Sequence, residues 1–297
     1  MKIISKTTTA IDNFQRNNKF FGFTYAVFKK YDEDRVGYKV ALLTYYGFLS
    51  LFPLLLIITT VAGMFASNNP ETQTTITNAI SDYIPGIGSQ VYDHIHSINK
   101  SGFALVAGIF LTLYGARGVV DVFRYGAKDI WHEPKIKSES PIKTFARSIV
   151  ILFGGASGLI LASLFTGLAA SAGNGIMFKV FSVLVNIFVL FWVFVFVLKA
   201  SINRKLPLKK IKLGALLAAI GLVALQLVGG IILSHQLKSL DALYSIFAIP
   251  LGLIFWIYLQ AQVLYLSVVA AAVSSKKLWP RGIDSNNPTA ADQMSQN

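Results

Sequence analysis

The chain contains no cysteine, which excludes disulfides and thiolate metal sites without fixing a compartment. Charge is also scarce: 14% of its 297 residues are charged, where a soluble domain carries about 25%. There are four histidines, His94, His96, His132 and His235, and only the Asp93-His94-Ile95-His96 run looks ligand-like. Residues i and i+2 of a helix diverge by about 200°, whereas a metal needs three or more converging ligands. No metal or other cofactor is therefore expected. HExxH, GxSxG and Walker patterns are missing, as are paired carboxylates within apolar runs, so nothing in the sequence assembles into a catalytic cluster and an enzyme is not expected.

What the chain has in abundance is apolar length. Hydrophobic residues make up 54% of it, and a helix crossing the bilayer needs roughly 20 of them in a row. Six runs qualify: Val40–Phe65, Ser101–Val120, Ser148–Ala170, Val180–Leu198, Leu213–Leu233 and Leu243–Val273. The expected fold is all-α integral membrane, with six transmembrane helices and amphipathic interfacial helices. Residues 1–39 would form an N-terminal cytoplasmic segment, residues 40–275 the membrane domain, and residues 276–297 a polar, disordered cytoplasmic tail. The stretch before Val40 has no continuous apolar core or small-residue cleavage site, so the first span is expected to be retained.

The formal net charge is +13, and its distribution separates two meanings. Of 27 Lys and Arg, 24 lie in alternate segments: before the first run, at the end of the second and after it, after the fourth and after the sixth. The intervening segments hold only Lys100, Lys179 and Lys238. A nucleic-acid surface would not alternate in this way, whereas the positive-inside bias of a polytopic protein does. Both termini are thus expected in the cytoplasm of a bacterial plasma (inner) membrane, with membrane lipids as partners, no nucleic acid, and no protein partner specified.

Three amphipathic segments fall outside the runs. In Phe14–Tyr31, Phe14, Phe21, Tyr25 and Phe28 recur at spacings of 7, 4 and 3, which fits a helix lying in the headgroup region or one packed on other loops. Between Ser67 and Lys100, isoleucines recur at 3–4 residue spacing on either side of Pro85-Gly86, predicting two short helices. After the second run, Val119, Val120, Phe123, Ala127, Ile130 and Trp131 continue one helical stripe up to Pro134. Gly154 with Gly158, and Gly214 with Ala218 and Gly221, give flat strips suited to close helix packing.

Polar side chains within the apolar runs are the candidate functional residues. Tyr46, Ser50 and Pro53 share one stripe of the first run, and Pro53 removes the donor for the carbonyl of Leu49. In hydrocarbon that carbonyl requires another partner, so the stripe is expected to face inward, either as interhelical glue or as the lining of a cleft. Asn186, Gln226, Tyr258, Gln262 and Tyr265 are its candidate partners, the last three on one i, i+4, i+7 stripe from which Gln260 departs. Pro250 is expected to kink the sixth run. Arg117 and Asp121, one turn apart, form a candidate charged pair, with snorkelling of Arg117 to the interface as the simpler role.

The stretch DRVGYKVALLTYYGFLSLFPLLL from Asp34 to Leu56, the Ile130-Trp131 pair, and LYSIFAIPLGLIFWIYLQAQVLYL from Leu243 to Leu266 together resemble the YihY/BrkB family of six-span bacterial inner-membrane proteins, often labelled ribonuclease BN. The resemblance implies an association with virulence and transport of a lipid or another envelope component; the ribonuclease label finds no support in the residues. Two positions depart from the family pattern. Ser267, Val268 and Val269 replace its Gly-Ala-Glu, and Lys128 stands where it has Asn. The functional expectation is binding or transport of an amphipathic, lipid-like molecule, with a non-catalytic scaffold docking a partner through its basic loops as the alternative.

Overall fold

The structure, a computed structural model, describes residues 12–66, 102–132, 141–171, 175–202, 206–244, 248–283 and 288–296. Every regular element among them is helical: α1 (residues 12–17), α2 (Lys19–Glu33), α3 (Val36–Ala66), α4 (Gly102–Ile130), α5 (Pro141–Ser171), α6 (Ile176–Ser201), α7 (Leu208–Tyr244), α8 (Ala248–Lys276) and α9 (Ala290–Gln296). The two helices expected between Ser67 and Lys100 lie outside the described residues.

Local chemistry sets the boundaries at the start of the bundle. Asn18 caps α2 by accepting from the amides of Phe20 at 3.0 Å and Phe21 at 3.4 Å, which gives two otherwise orphaned donors a partner. α2 ends at Asp34, and Arg35 turns the chain with φ of 49°, a left-handed conformation uncommon outside glycine. Lys30 holds the turn through an ion pair with Asp34 at 2.8 Å, and Lys39 donates to the Asp34 carbonyl. α3 then runs without interruption through Pro53. Pro250 lies in the first turn of α8, where the missing amide has no intrahelical partner to lose. It lies where the helix begins, so the kink expected in the outer part of the sixth run does not arise from it.

The six long helices form a ring. α3 packs on α4, α5 on α6 and α7 on α8; α6 joins α7 and α8 returns to α3, while the seam from α4 to α5 is the thinnest. Small residues set the tight seams where they were expected. A Cβ at Gly214 would come within 2.5 Å of the Ser267 carbonyl oxygen, so α7 and α8 meet nearly backbone to backbone. Gly154 and Gly158 of α5 receive Phe196 and Val193 of α6.

Within α5 to α8 four segments are long and apolar enough to cross a membrane: Ile142–Ala162, Ile176–Ser201, Leu208–Gly229 and Pro250–Lys276. Their outer faces carry large apolar side chains, with Ile176 and Met177 each 81% exposed. A continuous apolar exterior of that kind needs hydrocarbon around it.

Beyond α8 the chain departs from expectation. The tail expected to be disordered folds back over α1 and α2 through its described residues and ends in α9. Few large apolar groups are present there to signal folding, because ion pairs hold the segment instead. Arg281, 1% exposed, binds Glu33 at 2.7 Å and Asp292 at 3.1 Å. Asp292 also accepts from Lys29 at 2.9 Å, the Gly282 amide at 2.8 Å and both the amide and hydroxyl of Thr289. Burial pushes the Asp292 carboxyl up, but the Lys29 ammonium and the Gly282 and Thr289 donors outweigh it and hold it well below the usual range. α2 buries Gly22, Ala26, Val27 and Lys30, and its outer side exposes Phe20, Phe21 and Phe28, with Phe14 of α1 beside Phe21. Tyr25, expected on that aromatic stripe, turns inward to the Gly282 carbonyl.

Candidate functional site

The ring borders a partly open cavity of about 410 Å³, lined by all six long helices. α3 contributes Leu43 and Gly47, α4 Phe123, α5 the strip from Ile151 to Leu159, α6 the strip from Leu190 to Val197. α7 adds Leu222, Leu225 and Gln226, and α8 adds Trp256, Ile257, Gln260, Ala261 and Leu264. Small residues help to make the space. A Cβ added at Gly155 meets only Val197 Cγ2, at 3.9 Å, so no neighbour has closed over that glycine. No acidic or basic side chain lines the cavity among the described residues.

The residues expected to line an inward cleft are distributed among different neighbours. Gln226 faces the cavity, and Asn186 of α6, outside the lining, donates from its Nδ2 to Gln226 Oε1 at 3.1 Å. Tyr46 lies against Gly118 and Ser50 against Gly115, so both fill the α3–α4 seam. Ser50 further donates to its own helix at the Gly47 carbonyl, 2.8 Å away. Tyr265 is fully buried, donates to the Val122 carbonyl at 3.0 Å and packs on Phe123 and Gly126. Gln262 accepts from the Tyr31 hydroxyl at 2.9 Å, which places it against α2, and Tyr258 is 40% exposed on the outer surface. The side chain of Pro53 lies outside the described residues.

The single cleft joining Tyr46, Ser50, Tyr258 and Gln262 is therefore corrected to three hydrogen-bonded or packed seams around a separate, mostly apolar cavity. Rotation explains the change. α3 turns Leu43 and Gly47 inward and Tyr46 toward α4, while α8 turns Trp256, Gln260 and Leu264 inward. Gln260, set apart from the polar stripe by spacing, is a cavity residue. Its signal in the sequence was the i, i+4, i+8 alignment with Trp256 and Leu264.

The charged pair is present and larger than expected. Arg117 Nε lies 3.2 Å from Asp121 Oδ2, with its guanidinium over the Phe145 ring at 5.0 Å. Asp121 also accepts from Ser148 of α5. Arg124, 2% exposed, donates to Ser148 Oγ at 2.8 Å and to the Thr144 carbonyl at 3.2 Å, with Asp121 at 3.6 Å. This network ties α4 to α5 across the thinnest seam. Arg124 read as one of many loop cations, and only its burial distinguishes it.

A second polar cluster lies at the same end, where Asp34 meets His132 at 3.3 Å and Lys39 meets Asp129 at 2.8 Å. Lys276 donates to the Trp131 carbonyl at 3.0 Å, tying the end of α8 to the end of α4. No group of three or more His, Asp or Glu suited to a metal occurs among the described residues.

Long apolar helices with exposed apolar faces, packed around an apolar cavity and tied at one end by ion pairs, define a multi-pass α-helical membrane protein. The chain belongs to the virulence factor BrkB family, whose model matches residues 27–291. An uncharacterized protein of Dickeya dadantii (strain 3937) is 24% identical, over 77% of this chain and 76% of its own length. No solved structure gives a significant match.

Proposed function

We propose that this protein is a six-span bacterial inner-membrane protein, with both termini cytoplasmic, that binds and moves an acyl-bearing amphipathic molecule of the envelope. The cavity of about 410 Å³ carries this reading. It falls within the roughly 300–1,000 Å³ of ordinary ligand sites, all six helices line it, and its surface is apolar where an alkyl chain would lie. The alternation of basic segments supplies the orientation. The exposed Phe14, Phe20, Phe21 and Phe28 beside Arg16 and Lys19 suit an α1–α2 unit lying in the headgroup layer. A nucleic-acid role is disfavoured because Lys30, Lys39, Arg117, Arg124 and Arg281 already face carboxylates.

The test fills the cavity. Gly155→Leu places a side chain into open space, so the variant is expected to fold and to retain less than about one fifth of the wild-type co-purified lipid, counted by mass spectrometry. A folded variant with wild-type lipid content would contradict the reading. Orientation is checked separately in the cysteine-free chain. Single cysteines at Gln73 and Asn174 are expected to label in intact cells with an impermeant reagent, and those at Ser138 and Pro207 only after permeabilisation.

A further inference from the structure

Apart from the indole of Trp256, the amides of Gln226 and Gln260 are the only polar side chains lining the cavity among the described residues. Their hydrogen bonds are incomplete. Gln226 Oε1 is occupied by Asn186 Nδ2, which leaves the Gln226 Nε2 donors without a partner among the described residues. Asn186 Oδ1 is buried and makes no hydrogen bond, and the Gln260 amide has no hydrogen-bond partner among the described residues either. In an apolar surrounding an unmet amide costs free energy that an apolar residue of similar size would not. This set is turned toward the cavity with donors to spare.

The chemistry left open is specific. Gln226 offers N–H because its oxygen is engaged, and the Gln260 amide adds further N–H, so an acceptor completes both glutamines. With no charged side chain in the lining, an ionised phosphate or carboxylate would sit there without a counter-charge, which is strongly unfavourable. A neutral carbonyl flanked by alkyl chain meets both conditions, and a pure hydrocarbon or polyprenyl chain meets only the second.

We propose that Gln226 and Gln260, with Asn186 orienting Gln226, form a recognition station for the acyl carbonyls of an ester- or amide-linked lipid, whose alkyl chains fill the apolar remainder of the cavity. The charged headgroup then lies outside the station. This rests on the cavity reading above and adds the linkage chemistry of the occupant.

The probes are two phospholipids with the same headgroup and chain lengths, one a diacyl ester and the other its dialkyl ether, which lacks the carbonyls. Delipidated full-length protein is titrated with each in detergent, and bound lipid is counted by native mass spectrometry. Wild type is expected to prefer the ester by roughly tenfold, the scale of one or two net hydrogen bonds. Gln226→Leu with Gln260→Leu is expected to remove the preference, so that the variant binds ester and ether alike. Gly155→Leu is expected to abolish both.

Equal binding of the two lipids by wild type would overturn the station while leaving the cavity reading intact. Binding of both lipids untouched by Gly155→Leu would overturn the cavity reading itself. The wild-type comparison decides the first point even where the double variant does not fold, and an ester preference that persists in a folded double variant would equally overturn the station.

Discussion

The cavity and the ion-paired end of the bundle treat polar groups in opposite ways. At the end where α1, α2 and the tail meet, nearly every charge is matched: Asp292 alone collects Lys29, Arg281, Gly282 and Thr289. Around the cavity, Gln260 and the Gln226 donors face space. A polar group whose partners lie within the chain serves the fold, and removing it exposes the partners' buried charge. A polar group aimed into a cavity without partners contributes little to the fold and has reason to remain only if something else completes it. On the proposed reading, the salt-bridged tail serves the architecture and the amides serve binding.

Substitutions can break this contrast in order of expected effect. The largest loss belongs to the tight seams and not to either polar region. Gly214→Leu would drive its side chain into the Ser267 backbone, and overpacking without room to relax costs about 3 kcal/mol or more. The expected outcome is loss of monodisperse folded protein in size-exclusion chromatography. Asp292→Ala comes next. It leaves buried Arg281 with Glu33 as its carboxylate and Lys29 with only the Gly282 carbonyl, for a cost of about 2–3 kcal/mol confined to the tail. Limited proteolysis should cut after position 280 at least tenfold faster while the bundle keeps its melting temperature.

Acid offers a gentler version of the same break. Asp292 titrates below its unfolded value in the folded tail, and Asp12, which accepts from the Ile283 amide, is also lowered. Burial would raise both carboxyls, and their hydrogen bonds and cationic neighbours prevail. A depressed carboxylate contributes its stability fully above the unfolded pKa of about 3.9 and loses it as the pH falls toward the folded value. Hydrogen exchange in α9 should therefore stay constant from pH 8 to 5, after correction for intrinsic rates. Protection should weaken only below about pH 4.

The smallest effect sharpens the comparison most. Gln260→Leu removes an unmet amide from an apolar wall and breaks no hydrogen bond among the described residues, so the melting point of delipidated protein should hold or rise by the equivalent of about 1 kcal/mol. A fall comparable to that of Asp292→Ala in its own region would place that amide in the fold and not in the site.

The sequence carried the helices because hydrophobic length and charge alternation are local signals, and the small-residue strips at Gly154, Gly158, Gly214 and Gly221 marked their own seams. Which way each helix turns was harder to read. α3 and α8 are apolar on most sides, so spacing alone did not decide whether Tyr46 or Gly47, Gln262 or Gln260, faced the interior. The folded tail was invisible for the opposite reason. Arg281 and Asp292 find Glu33 and Lys29, and the Ile283 amide finds Asp12, across some 250 residues or more of chain, and composition records charges without their partners.

The most direct measurement is a density map of the wild-type protein in nanodiscs made with diacyl ester phospholipid. The account predicts continuous acyl density between Phe123, Val193 and Leu264, ending within hydrogen-bonding distance of Gln226 and Gln260. A ring collapsed on itself at these residues, with Gln226 and Gln260 bonded to other side chains and no lipid density between the six helices, would contradict it.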